Sequence, residues 1–260
     1  MFRVDTQRLT WQAVGASGIS EKILKDDADT GARTLLLRSR PRPSADITDR
    51  RPQYHPVDEE FLCLAGKFTL EGTPWLTPMT YVYYPAGLAH GFNVDVPDGY
   101  EIYLRNSGPV TTERVDSPLQ DTPYFIEQGH GDPIIVSDCS KLVVDAVQSE
   151  QLSLITLRND DRAQEGALIL CLPANRDIVS RIDQANGYVE LFVLEGSIQV
   201  GDLKPMKKSS FAVLAGPTEF KITSIEAAVV MLNYRDAGFA DTIERQAESV
   251  RDTVNTYPQT

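Results

Sequence analysis

Two sets of glycine-punctuated apolar runs, repeated at a nearly constant offset, constrain this chain more than any other feature. In the first half TLLLRSR (34–40), EEFLCLAGKFTL (59–70) and MTYVYYPAG (79–87) are separated by Pro- and Gly-rich turns. ALILCLPA (167–174), ELFVLEGSIQV (190–200) and SSFAVLAG (209–216) follow in the same order in the second half. Gly66 and Gly196 occupy matching places 130 residues apart, and Gly87 and Gly216 do so at 129. A preserved offset of that size indicates duplication of a whole domain. The runs are short, apolar and bounded by turn residues, so the expected fold class is all-β, with two tandem barrels.

A length of 260 residues suits two domains, each able to bury its own core. The polar stretch SGPVTTERVDSPLQDTP at 107–123 reads as part of the linker, which gives expected domains of 1–120 and 121–236. Over 239–254, Phe239, Ile243, Ala247, Val250 and Val254 recur at spacings of three and four. That is one helical stripe, expected to cover a barrel end or a subunit contact within a tail of 237–260.

Composition excludes some partners. With 37 acidic and 25 basic residues the net charge is −12, and no Lys/Arg stripe stands ready to neutralise a phosphate backbone. Arg33, Arg38, Arg40, Arg42, Arg50 and Arg51 do cluster, but Asp26, Asp27, Asp29, Asp46 and Asp49 are interspersed, as on a mixed solvated surface. Nucleic acid and membrane are therefore not expected partners; a small-molecule substrate and a second copy of the chain, as a homo-oligomer, are. The N-terminal MFRVDTQRLTWQAVG has no apolar core of signal-peptide length and no later segment approaches a membrane span, which sets the expected location in the cytoplasm. Cys63, Cys139 and Cys171 are far apart in or beside apolar runs and read as free buried thiols.

The chemistry is concentrated in the first half. Gln53-Tyr54-His55 is followed by Glu59 and then, after six residues, by Gly66; Pro85-Ala86-Gly87-Leu88-Ala89-His90 comes later. In an extended segment Gln53, His55 and Glu59 share one parity and point the same way. The Pro-x-Gly turn offers a fixed φ and a permissive residue for bringing His90 in from a neighbouring strand. Two imidazoles and a carboxylate are an open ligand set for iron(II), manganese, nickel or zinc. Glu60 has the opposite parity and is expected to face solvent, and His130 in QGHGD is expected in a solvated loop. On YEIYLR, Glu101, Tyr103 and Arg105 share one face, as do Tyr81 and Tyr83 on YVYY. Tyr103 or Glu101 would serve as acid or base if that face looks into the barrel. In the second half the matching positions are Asp183, Ala185, Val189 and Glu219, which cannot build a metal site; packing, dimerisation or small-molecule binding remain for that barrel.

The motifs resemble those of the cupin superfamily, H-x-H-x(3–4)-E-x(6)-G and P-x-G-x-x-H, with Gln53 standing at the first His. A similar Gln occurs in metal-bearing cupins such as type I phosphomannose isomerases. The resemblance implies two tandem double-stranded β-helices and one divalent transition metal ion per chain, iron(II) foremost, held by Gln53, His55, Glu59 and His90. Trp11, Gly18-Ile19, Lys22, Leu24, Gly31 and the run Thr34 to Arg38 further resemble ChrR-like cupins, a group that includes 2,4'-dihydroxyacetophenone dioxygenase. This implies a metal-dependent dioxygenase acting on a small hydroxy-carbonyl or enolisable compound. An isomerase or lyase of a sugar-like substrate, and a sensor that binds without turnover, stay open beside it.

Overall fold

The computed structural model describes residues 1–15, 18–42, 51–91, 93–115, 135–236, 238–239 and 241–247. It is built almost entirely of antiparallel strands and divides into two compact units: Thr10–Ser140, and Lys141–Thr260 together with Met1–Leu9. Among the described residues no helix is long and apolar enough to cross a membrane.

The unit Thr10–Ser140 contains β2 (Gln12–Val14), β3 (Ile19–Asp26), β4 (Arg33–Ser39), β5 (Gln53–Tyr54), β6 (Glu59–Gly66), β7 (Thr80–Tyr84), β8 (Tyr100–Asn106), β9 (Glu113–Arg114) and β10 (Ile135–Asp138). Seven of these form one sheet in the order β10-β7-β6-β8-β4-β3-β2, and β5 pairs with β9. Leu35, Phe61, Cys63, Phe68, Val82 and Leu104 are among its buried core. Trp11, Lys22 and Arg38, distant in sequence, meet on this sheet: the Lys22 ammonium lies 4.7 Å and the Arg38 guanidinium 4.3 Å from the indole centroid.

The other unit begins with β1 (Phe2–Asp5) and continues with β11 (Ser153–Asp160), β12 (Glu165–Leu172), β13 (Asp177–Ile182), β14 (Tyr188–Glu195), β15 (Ser197–Val200), β16 (Met206–Lys207), β17 (Ser210–Ala215), β18 (Thr218–Ser224) and β19 (Ala228–Arg235). They form a six-stranded sheet, β1-β17-β14-β19-β12-β11, and a four-stranded sheet, β13-β18-β15-β16. Side chains of both sheets fill its interior, including Leu191, Val193, Ile198, Phe220, Ile222 and Val230. The helical residues at its C-terminal end add Phe239, Ile243 and Ala247 to that core, as the stripe spacing requires; Val250 and Val254 lie outside the described residues.

The duplication is visible in the backbone. Gly66 and Gly196 both have positive φ, 84° and 73°. A Cβ at either would sit 2.1 Å from the Gly99 carbonyl oxygen or 1.9 Å from that of Ala227. Only glycine fits such a contact, so each barrel keeps its glycine at the same bend.

Domain limits differ from expectation at both ends. Phe2–Asp5 pairs with Ser210–Val213, so the first strand belongs with the second repeat, while Ile135–Asp138 pairs with Thr80–Tyr83 and extends the first. Backbone ladders decide membership, and their partners are 205–211 and 52–58 residues away, beyond the reach of local pattern. The boundary expected near 120 and His130 fall outside the described residues. The Leu142-Val143-Val144 run lies in a helix, α1 (Ser140–Gln148), whose start is fixed by the Asp138 carboxylate accepting the Ser140 N–H at 2.9 Å.

Candidate metal centre

Gln53 opens β5, His55 follows that strand, Glu59 opens β6, and His90 lies on an isolated bridge to Gln53. The Gln53 and His90 amides each donate to the other's carbonyl at 2.8 Å, which fixes the two motifs side by side. The Pro85-Ala86-Gly87 turn is anchored twice. Gly87, at φ 78°, donates its N–H to the His55 carbonyl at 2.7 Å, and the Asp58 carboxylate accepts the Ala86 N–H at 2.8 Å.

The three ligand-type side chains converge. His55 Nε2 stands 3.6 Å from one Glu59 oxygen and His90 Nε2 stands 3.9 Å from the other, and one ligand atom from each lies within 4.8 Å of those of the other two. Both rings have their remaining nitrogen occupied: Nδ1 of His55 is 2.8 Å from the Thr111 carbonyl and Nδ1 of His90 is 3.1 Å from that of Leu88. A carbonyl can only accept, so each Nδ1 carries a proton, and in the neutral ring each Nε2 then presents its lone pair toward Glu59. Burial pushes the His90 imidazole below its ordinary range, against the opposing pull of Glu59, which favours the neutral ligand form. Asn106 Nδ2, 3.4 Å from Glu59, helps orient the carboxylate.

A further support lies behind His90. The Tyr84 ring stacks on the imidazole at 4.3 Å with an interplanar angle of 8°. Its hydroxyl donates to Glu71 at 3.0 Å, and the same Glu71 oxygen accepts the Gly91 N–H at 3.2 Å. Burial raises the Glu71 carboxyl and drives the Tyr84 phenol well above its usual range. Neither residue belongs to the sequence motifs, and only the fold brings them to His90.

The cluster opens into a cavity of about 520 Å³ whose walls include Leu35, Phe61, Phe68, Leu104 and Val94. Gln53 lines it beside the three ligands, as do Tyr100, Asn106, Arg42, Arg114 and the pair Arg33–Glu21. The β8 residues on this wall are Tyr100, Ile102, Leu104 and Asn106. Alternation therefore puts Glu101, Tyr103 and Arg105 on the opposite face, and neither Glu101 nor Tyr103 can act on a molecule in the cavity.

Glu60 also differs from expectation. Its parity does turn it away from the cavity, but it is 3% exposed, with Arg105 Nη1 and the Tyr81 hydroxyl each 2.6 Å from its carboxylate. That face of the sheet is buried, and two strong donors make a carboxylate tolerable there. In addition, the stretch read as linker supplies part of the site: Thr111 holds His55, and β9 pairs with β5. A backbone carbonyl leaves no trace in sequence. In the second repeat Val189 is fully buried in the core, while Asp183, Ala185 and Glu219 are exposed. Phe220, next to Glu219, packs with Phe239 at 6.1 Å between ring centroids, inside the barrel.

The ChrR Cupin-like domain family matches residues 1–111, the segment that carries every one of these ligands. The first repeat thus matches a ChrR Cupin-like domain, and the fold is that of two tandem cupins. Among solved structures, this bicupin is similar to a putative dioxygenase from Nostoc punctiforme, at 20% identity and TM-score 0.70 over 93% of this chain and 85% of that one. Salicylate 1,2-dioxygenase from Pseudoaminobacter salicylatoxidans, solved as adducts with gentisate, aligns with TM-score 0.62 at 12% identity over 91% and 77% of the two chains. Oxalate decarboxylase from Bacillus subtilis aligns with TM-score 0.60 at 10% identity over 99% and 86%. At such identities the shared property is the tandem cupin fold. No curated protein matches the sequence.

Proposed function

We propose that the bicupin is a metal-dependent dioxygenase acting on a small hydroxy-carbonyl or enolisable compound, with one iron(II) per chain in the first cupin. The observation that carries this reading is the convergence of His55, Glu59 and His90 with both imidazoles locked so that Nε2 faces the carboxylate. Two neutral nitrogens and one carboxylate oxygen on one side of a cavity suit a first-row divalent ion with open positions. Such an ion would supply Lewis acidity and a redox couple where substrate and oxygen meet. The chain's own contribution is orientation. Thr111 and Leu88 set the rings, Asn106 steadies Glu59, and the apolar walls limit water around the bound molecule. Gln53 is part of the proposal as a fourth, neutral ligand through its amide oxygen. A cytoplasmic location is also part of it, supported by three buried cysteines with no disulfide between them.

Metal analysis of protein purified without chelators, followed by oxygen-uptake assays over hydroxyketones, diketones and sugar acids, tests the proposal. One ion per chain and substrate-dependent oxygen consumption are expected. Turnover without oxygen uptake would replace the dioxygenase with an isomerase or lyase, and binding without turnover would make it a sensor. For Gln53, replacement by His should keep or tighten metal binding, and replacement by Ala should weaken it by roughly 10 to 100-fold. Unchanged affinity in both variants would remove Gln53 from the ligand set.

A further inference from the structure

The cavity is more basic than the protein that holds it. Against a net charge of −12, the charged side chains on its wall beyond Glu59 are Arg33, Arg42, Arg114 and Glu21. Two of the three cations are engaged. Arg33 lies 3.4 Å from Glu21 and 3.9 Å from Asp26, and Arg114 donates to the Arg51 carbonyl at 3.0 Å. Arg42 is held by its backbone, which exchanges hydrogen bonds with Val96 at 2.7 and 3.2 Å, while among the described residues its guanidinium has no hydrogen-bond or ion-pair partner.

Tyr100 is the second uncommitted group. Its ring packs against Phe68 at 4.2 Å, it lines the cavity, and its hydroxyl has no hydrogen-bond partner among the described residues. The phenol experiences both the Glu59 carboxylate and the Arg42 guanidinium, so it stands within electrostatic reach of each. Burial, with Glu59, pushes it up to about 12, and it is therefore a neutral hydrogen-bond donor at any physiological pH. A guanidinium and a phenol, both donors, thus line the same cavity, and among the described residues neither has a hydrogen-bond acceptor of its own.

We infer that the substrate of this cavity is an acid, its carboxylate received by the Arg42 guanidinium and the Tyr100 hydroxyl while its hydroxyl or carbonyl oxygen faces His55, Glu59 and His90. The inference rests on the proposed metal site for the second half of that pose. The charges agree: a divalent ion with two neutral imidazoles and one carboxylate keeps a net +1, so an anion entering beside it is stabilised. A guanidinium and a carboxylate also match as a forked pair in a way that a neutral ketone or amide does not.

The test compares acids with their neutral amides: salicylate against salicylamide, and acetoacetate against acetoacetamide, titrated calorimetrically into the full chain with and without zinc. Each acid should bind zinc-loaded protein at least about 10-fold more tightly than its amide. Arg42→Gln should weaken acid binding by about 10 to 100-fold and leave the amides within about threefold, while Arg42→Lys restores part of the loss. Tyr100→Phe should cost the acids about 3 to 10-fold. Circular dichroism melts confirm that each variant is folded. Amides bound as tightly as acids, acids insensitive to Arg42→Gln, or no acid binding to zinc-loaded protein would each overturn the inference. Zinc counted on the same samples separates the two proposals. Full zinc occupancy without acid preference removes the anion site alone, whereas Arg42-dependent acid binding without zinc uptake removes the metal site and keeps the anion site.

Discussion

Glu59 and Glu60 are adjacent carboxylates on opposite faces of β6, and their substitution by Gln should give opposite phenotypes. Glu60 accepts two hydrogen bonds of 2.6 Å, from Arg105 and Tyr81, at 3% exposure. Removing one partner of a buried ion pair costs about 3–5 kcal/mol, and because a Gln oxygen still accepts one of the two donors, the lower end, about 3 kcal/mol, is expected. That is about two decades in the unfolding equilibrium. At 2–4 °C per kcal/mol for a domain of this scale, the melting temperature should fall by roughly 6–12 °C. Glu59, in contrast, has among the described residues no hydrogen bond shorter than its 3.4 Å contact with Asn106, and its imidazole neighbours lie at 3.6 and 3.9 Å. Glu59→Gln should change the stability of metal-free protein by about 1 kcal/mol or less, yet abolish tight metal binding. Thermal melts followed by circular dichroism, on stripped and zinc-titrated samples, read both effects, with metal counted by mass spectrometry. If Glu60→Gln lost the metal at unchanged stability, or Glu59→Gln unfolded the protein while retaining it, the assignment of faces along β6 would be wrong.

Tyr84→Ala should weaken metal binding by roughly 10 to 100-fold through loss of the stack on His90, and Tyr84→Phe, which keeps the ring and loses only the bond to Glu71, should do less; zinc titration measures both. Phe239→Ala removes a fully buried ring packed on Tyr234 and Phe220, and calorimetry should show a loss of about 3–5 kcal/mol in the second repeat with metal stoichiometry unchanged. Burial holds the Cys63 thiol at about 12 and that of Cys171 at about 11, and raises Cys139 as well. Thiolate appears only as pH rises toward these values, so at pH 8 Cys63 is ionised to the order of 10⁻⁴, and a disulfide reagent should titrate three thiols only after denaturation.

What the sequence determined by itself is whatever is local in the chain. The shared parity of Gln53, His55 and Glu59, the Pro-x-Gly turn before His90 and the glycines at 66 and 196 are set by strand period and backbone sterics, which act within a few residues. From those alone the tandem barrels, the ligand-bearing half and the terminal helical stripe were legible. Tertiary structure decided which side of each strand became the inside. Alternation on β8 allows Glu101 and Tyr103 or Tyr100 and Asn106 to face the cavity with equal ease, and only the closing of the sheet on Phe61 and Phe68 selects the second set. The same holds for the burial of Glu60, the pairing of Phe2–Asp5 with Ser210–Val213, and the Thr111 carbonyl that sets the His55 tautomer. Each depends on a partner tens to hundreds of residues away, often through backbone groups that every residue carries alike, so no local pattern can announce it.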